Sequence, residues 1–250
     1  MIKLKSPQEI KIMQEAGKKL RKVVADLLPT IKPGIKTKEI NDRAEKLIKQ
    51  NGGETSFGKV KNYRWVSCLP INEQAVHTPP SGRVVRDGDL LTVDIGLYYQ
   101  GFHTDYATSF IVGNKKNPEV VKFLEVGKIT LDKAIKQVKA GNYLGQISAE
   151  IQKGIEGAGY KILKNLTGHG IGRDLHEDPH VFQFLNRAVE KTYKMQPGLV
   201  IAVEVIYSQS SEKMAYEKGD NWSIVSADGS LAASFEHTVA ITKDGPRIIT

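Results

Sequence analysis

Apolar residues recur at helical spacing at Ile10, Met13, Gly17, Leu20, Val24 and Leu28, with polar residues between them. That stripe predicts an amphipathic helix. Ser6-Pro7-Gln8-Glu9 supplies its start, a capping box with proline at the first helical position, and Pro29 its stop. Thr37 starts a second helix that ends at Asn51-Gly52-Gly53. Asn117-Pro118 opens a long third helix running to Ala140-Gly141, and a fourth covers about 144–157, closed by Gly157–Gly159. Elsewhere the period shifts toward strands. They are expected around 64–69 and 90–112, then at 160–166, 199–207, 222–226, 231–242 and 246–249. No Pro/Gly/Ser-rich linker divides the chain, so residues 1–250 read as one mixed α/β domain.

One strand breaks the apolar pattern. Residues 198–205 read GLVIAVEV, the look of a strand buried on both faces, yet Glu204 stands inside it. An ionised carboxylate there needs a partner cation, a raised pKa or a metal. GDLLTVDI, beginning at Gly88, repeats the anomaly: a glycine, an apolar strand, and an acid, Asp94, six residues on. Two matching halves would set Asp94 and Glu204 in equivalent places about a pseudo-two-fold axis.

DIGLYYQGFHTDYATSFIV predicts a β-hairpin turning at Gln100-Gly101. With a two-residue loop, Gly96 faces Asp105 and Asp94 faces Ala107. Asp94 and Asp105 then share a face as diagonal neighbours, roughly 7–8 Å apart at Cα. An odd loop would send them to opposite faces. Glu236, in LAASFEHTVAI, places a fourth acid in a strand. Two carboxylates can share a proton, but four are too many. Arg83 and Arg86 sit in a polar loop, which leaves structural ion pairs without their cations. Two divalent ions would neutralise the set, and one imidazole commonly joins such oxygen ligands. His169, between two glycines in TGHGIGRDLHEDPH, is the candidate. His176 and His180 have the spacing of a helical pair, but Asp178-Pro179 argues against a helix there. His103 shares the hairpin face of Asp105 and reads as a supporting or surface residue.

Composition narrows the class further. The chain carries 36 Lys and Arg against 28 Asp and Glu, for a net charge of +8. The lysines are scattered over helix faces, as in KIMQEAGKKLRK. That favours solvated surfaces over a specific nucleic-acid site and leaves transient ribosome association as the one polyanionic partner suggested. No apolar run approaches the ~20 residues of a membrane helix. The N-terminus lacks the apolar core of a signal peptide. Cys68 is the only cysteine, which excludes an intramolecular disulfide and a thiolate zinc cluster. A cytoplasmic setting is expected.

Taken in order, Asp94, Asp105, His169, Glu204 and Glu236 resemble the five-ligand dimetal site of the methionine aminopeptidases. The likeness extends through INEQAVH, DIGLYYQGFHTD, GHGIGRDLHEDP and SFEHTVAIT, over essentially the whole chain. It implies the α+β pita-bread fold, two pseudo-symmetric α/β halves with a central antiparallel sheet covered by helices. With 34 residues between His169 and Glu204 and 31 between Glu204 and Glu236, there is little room for the insert of the type II enzymes, so type I is implied.

The resemblance also implies roles. Asp94 is a terminal ligand of one metal, His169 and Glu204 hold the other, and Asp105 and Glu236 bridge. A water or hydroxide between two divalent ions (Co, Mn, Fe or Zn) attacks the peptide carbonyl, with Glu204 moving the proton. His77 stands near the scissile amide and His176 near the oxyanion. The substrate is an N-terminal Met peptide or nascent chain with a small second residue. Tyr63, Cys68, Leu175 and Trp222 correspond to the methionine pocket, although Tyr63 and Trp222 read equally as core aromatics. Cys68 lacks the partners of a nucleophile. The chain departs from the family at Thr78 (glycine is usual), at Val205 (proline) and at Leu175 (an aromatic residue). Two other readings remain: a peptidase of the same fold cleaving before proline, and a non-catalytic binding protein of that fold.

Overall fold

The structure, a computed structural model, describes residues 1–250. The Ser6 hydroxyl accepts from the Glu9 N–H at 3.3 Å, and the Glu9 carboxylate accepts from the Ser6 N–H at 2.8 Å. That reciprocal cap starts α1 (Pro7–Leu27), which a short 3-10 turn at Leu28–Thr30 ends. α2 is Thr37–Gln50, α3 Pro118–Ile135 and α4 Leu144–Gly157.

α3 stops earlier than its sequence pattern predicts. The Gln137 and Val138 N–H groups bond to the carbonyls three residues back, Ala134 and Ile135, so the chain tightens into a turn. The turn buries Val138 completely in the adjoining core. Tertiary packing there overrides the local helical pattern.

Thirteen strands follow in chain order: β1 (Glu54–Thr55), β2 (Ser67–Cys68), β3 (Gln74–Val76), β4 (Leu90–Tyr99), β5 (Phe102–Ile111), β6 (Lys161–Ile162), β7 (Thr167–Gly170), β8 (Glu177–Phe182), β9 (Val200–Ser208), β10 (Met214–Tyr216), β11 (Ile224–Ser226), β12 (Ala232–Thr242) and β13 (Gly245–Ile248). The large sheet runs β1-β4-β5-β12-β9-β7-β8, with β2, β6 and β13 at its margins, and every pairing is antiparallel. β10, β11 and β3 form a separate small sheet. It packs on the large one through Ala75, Val76, Ile206 and Ala232. The sequence pattern anticipated the long strands. It also covered the short strands β2, β6, β11 and β13 within its expected runs, and it missed β1, β3, β7, β8 and β10.

The hairpin turns at Gln100 and Gly101, both with positive φ (47° and 89°), the requirement of a two-residue turn of this kind. Gly96 pairs with Asp105 and Asp94 with Ala107, as the parity argument requires. Alternation then sorts the side chains. On β4, Leu91, Val93, Ile95 and Leu97 enter one core with α1 and α2; on β9, Ile201, Val203, Val205 and Tyr207 enter another with α3 and α4. The helices thus cover one face of the sheet, and Asp94 and Glu204 point to the other. The two halves match in detail. Gly88 and Gly198 take φ of 94° and 96°, and their N–H groups bond to Val112 and Ile241 at the ends of β5 and β12.

Candidate metal centre

A single row of residues crosses the sheet. Asp94 on β4 faces Ala107 on β5, Ala107 faces Glu236 on β12, and Glu236 faces Glu204 on β9. Strands lie about 4.8 Å apart, so the row sets three carboxylates across one short span. Asp105 is two residues from Ala107 and therefore shares its face. His169 on β7 pairs with Ala202, two residues from Glu204, and joins the same face. Ligand atoms of Asp105, His169 and Glu236 lie within 4.8 Å of one another, and all three residues are buried. His169 Nε2 is 3.5 Å from Glu204 Oε1. Glu204 and Asp94 both stand outside that tightest group, Glu204 beside His169 and Asp94 opposite Cys68 on β2.

The electrostatics are those of acids without a protein counter-charge. No ion pair from a lysine or arginine reaches any of the four; the one basic side chain within 4.0 Å is the His169 imidazole, beside Glu204. Burial pushes Asp94, Glu204 and Glu236 well above the ordinary carboxylate range, and the neighbouring carboxylates add to it. Burial also pushes Asp105 up to about 7. Glu236 Oε1 is fully buried and accepts no hydrogen bond from the protein. Structural ion pairing is thereby excluded as the reason for these acids. The donor set of carboxylate oxygens and one imidazole fits hard or borderline divalent metal ions. His169 Nδ1 lies 2.9 Å from the Gly170 carbonyl, which fixes Nδ1 as the N–H donor and leaves the Nε2 lone pair toward the acids. Burial lowers this imidazole to about 3, so it stays neutral and able to ligate.

A cavity of about 690 Å³ opens onto the row, and every site residue singled out in the sequence lines it: Tyr63, Cys68, His77, Leu175, His176 and Trp222, besides the acids and His169. His77 follows β3 at φ 60°, a left-handed conformation that histidine tolerates better than most residues. Its ring is open to the cleft, yet the surrounding walls strip enough water to lower it to about 4. The His176 ring lies 4.5 Å from that of His169, edge to face, and is likewise held below its ordinary value by burial. Both are neutral hydrogen-bonding groups near neutral pH.

The apolar wall is aromatic. Tyr63 packs edge-on against Trp222 at 5.0 Å, and its hydroxyl donates to the Ser67 carbonyl at 3.0 Å, beside Cys68 Sγ at 3.1 Å. Burial raises the Cys68 thiol well above its ordinary range, so it remains protonated and serves as wall, not nucleophile.

Sequence reasoning missed three participants. Phe57 and Val60 line the cavity from a stretch with no periodicity to flag them. Thr238 sits opposite Asp105, and its hydroxyl accepts from the Asp105 N–H and donates to the Asp105 carbonyl, both at 2.9 Å. Its position two residues after Glu236 was the available signal. His103 is buried, 2.7 Å from Ser56 Oγ and edge-on to Tyr98, so it is not a surface residue. His180 lies in strand β8, 3.2 Å from Thr167 Oγ1, which rules out a helical pair with His176.

Residues 11–243 match the profile of metallopeptidase family M24. The chain is 38% identical over 250 residues to methionine aminopeptidase 1 of Bacillus subtilis, covering 100% of this chain and 99% of that one. The crystal structure of methionine aminopeptidase from Thermotoga maritima superposes with a TM-score of 0.95 at 32% identity, covering 100% and 99% of the two chains. A prolidase from Pyrococcus furiosus shares the fold at a TM-score of 0.79 and 21% identity, with 99% of this chain matching 65% of that one.

Proposed function

The chain belongs to metallopeptidase family M24, within it to the methionine aminopeptidases, and from that premise we propose how its residues divide the work. It is a metal-dependent aminopeptidase of the pita-bread fold that removes N-terminal methionine. Asp94, Asp105, His169, Glu204 and Glu236 would together hold two divalent ions, the four carboxylates and the one imidazole supplying the donor set. The observation that carries this is the cross-strand row of acids with no protein cation beside it. Mn, Fe, Co and Zn all suit such mixed ligation. When bound, the ions supply Lewis acidity, activating water and polarising the substrate carbonyl.

The chain's own groups do the rest. The cavity wall of Tyr63, Cys68, Leu175 and Trp222 takes the methionine side chain, for which aromatic rings and a polarizable sulfur suit a thioether. His77, neutral at the cleft mouth, meets the substrate's amino end and scissile amide. His176 donates to the carbonyl oxygen as negative charge gathers on it. Glu204 accepts the proton of the attacking water and passes it to the departing amine. Substrates with a small second residue are preferred.

Residues 1–250 act as one catalytic domain. No helix is long and apolar enough to cross a membrane. The setting we propose is cytoplasmic, with transient docking to ribosomes through the basic surface. Salt-sensitive co-sedimentation with ribosomes is the expected sign, and its absence ends that part. The activity is tested by incubating metal-loaded protein with Met-Gly-Met-Met, Met-Leu-Met-Met and an Xaa-Pro dipeptide. Release of methionine from the first alone is expected. Cleavage of the Xaa-Pro dipeptide in preference would assign the chain to the prolidase-like branch, and no cleavage with added Mn²⁺ or Co²⁺ would favour a binding protein.

A further inference from the structure

Besides the terminal amine of Met1 on Asp178 at 2.9 Å, three ion pairs tie the start of the chain to residues 173–177. Lys3 Nζ meets Asp174 at 2.8 Å, Lys5 Nζ meets Glu177 at 2.6 Å, and Arg173 meets Glu9 at 2.8 Å. The Lys3 and Arg173 side chains are exposed, and such pairs contribute little. The middle pair differs, because the Lys5 and Glu177 side chains are only 4% and 2% exposed. A buried ion pair is a weak source of stability, since desolvation of both charges offsets their attraction. What it does impose is geometry.

Every polar atom of this pair is committed. Glu177 Oε2 accepts from Lys5, and Glu177 Oε1 accepts from the backbone N–H groups of Arg173 and Asp174 at 2.8 and 3.2 Å. The carboxylate therefore closes a ring around residues 173–177. Lys5 is itself pinned: its backbone N–H donates to the Gly198 carbonyl at 2.7 Å, and its Nζ also reaches the Lys3 carbonyl at 3.0 Å. Its stem crosses Gly172, where an added Cβ would lie 2.2 Å from Lys5 Cε. Glycine at that position leaves the passage through which the ammonium reaches Glu177. Inside the ring stand Leu175, a wall of the cavity, and His176, 4.5 Å from His169.

We propose that Lys5 and Glu177 are positioning residues for His176: their buried pair holds loop 173–177 in the arrangement that aims the imidazole at the substrate carbonyl. This rests on the role given to His176 under the proposed function. The N-terminal segment, which carries no catalytic group, is by this account a working part of the catalytic cleft.

The test uses full-length, metal-loaded Lys5→Met and Glu177→Gln variants. It measures kcat and KM on Met-Gly-Met-Met, metal per chain, and amide hydrogen exchange at Arg173 and Asp174. We expect kcat to fall about tenfold to a hundredfold, with KM and metal content near wild type. Exchange at the two amides should accelerate, and adding Lys5→Met to His176→Gln should lower kcat no further. A folded variant with wild-type kcat, or one whose loss is accounted for by KM or by metal, overturns the proposal. If Lys5→Met does not fold, the Lys5→Met/Glu177→Met double variant removes both charges together. The same loss of kcat in a protein of undiminished thermal midpoint supports the proposal, and wild-type kcat overturns it. Should the wild-type protein release no methionine, it is the peptidase reading that fails. The exchange rates then judge the clamp alone, and unchanged exchange overturns it.

Discussion

Glu204 and Glu236 stand directly opposite each other on neighbouring strands, and Ala107 occupies the next place in the same row before Asp94. Like charges facing across a ladder destabilise a sheet. Their juxtaposition is explained by what binds them, and the smallness of Ala107 leaves the space between the two halves. Ala107→Leu should fill that space. Bound metal is expected to fall about tenfold or more, while overpacking costs the fold only about 1–3 kcal/mol. Elemental analysis beside a melting curve checks both. Full metal loading would show that the row does not frame the site.

His176→Gln separates chemistry from ligation. If the imidazole donates to the developing oxyanion, kcat should drop by about a hundred- to a thousandfold. Metal content should hold, because His176 is not in the ligand set. Steady-state kinetics with metal analysis decides, and a variant within about twofold of wild-type kcat removes the role.

Much of this site could be read before any coordinates. The spacing about Gln100-Gly101 fixed which face Asp105 takes, because strand parity leaves two choices and the turn selects one. The glycine-to-acid spacing shared by Gly88/Asp94 and Gly198/Glu204 survives as a true pseudo-symmetry. Tyr63 and Trp222, equally readable as core, prove to be both: they pack into a hydrophobic cluster and line the cleft. Thr238 and Phe57 were illegible for different reasons. Thr238 matters through a backbone contact between strands 133 residues apart in sequence, and Phe57 through the shape of a cavity. The end of α3 was misread because the burial of Val138, not the local pattern, decides where the chain turns.

Thr238→Val tests how Asp105 is held. Valine keeps the shape and removes the hydroxyl that serves both the N–H and the carbonyl of Asp105. Leaving those groups unpaired in a buried strand should cost about 1–3 kcal/mol. Denaturant unfolding of the chelator-treated protein measures it. A change well under that range would mean that β5 and β12 close to form direct bonds.

Stability of the chelated protein should depend on pH in an unusual direction. Asp105 is raised from 3.8 to about 7 in the fold. The folded chain therefore holds a proton that the unfolded chain has lost, and stability falls as pH rises through that interval. The contribution is whole below 3.8 and gone above about 7. Melting curves of wild type and Asp105→Asn, compared across this range in chelator, should diverge toward higher pH, with the variant the more stable. Added divalent metal should reverse the wild-type trend, since metal competes with protons for the same oxygens. Parallel curves in chelator would mean that Asp105 ionises freely.

The most direct test is anomalous diffraction from crystals of metal-loaded protein, collected on both sides of the Mn, Fe, Co and Zn absorption edges. Two peaks about 3.5–4 Å apart are expected, one against Asp94, the other against His169 and Glu204, with Asp105 and Glu236 reaching both. Peaks elsewhere on the chain, or none at this row from protein that still releases methionine, would contradict the account.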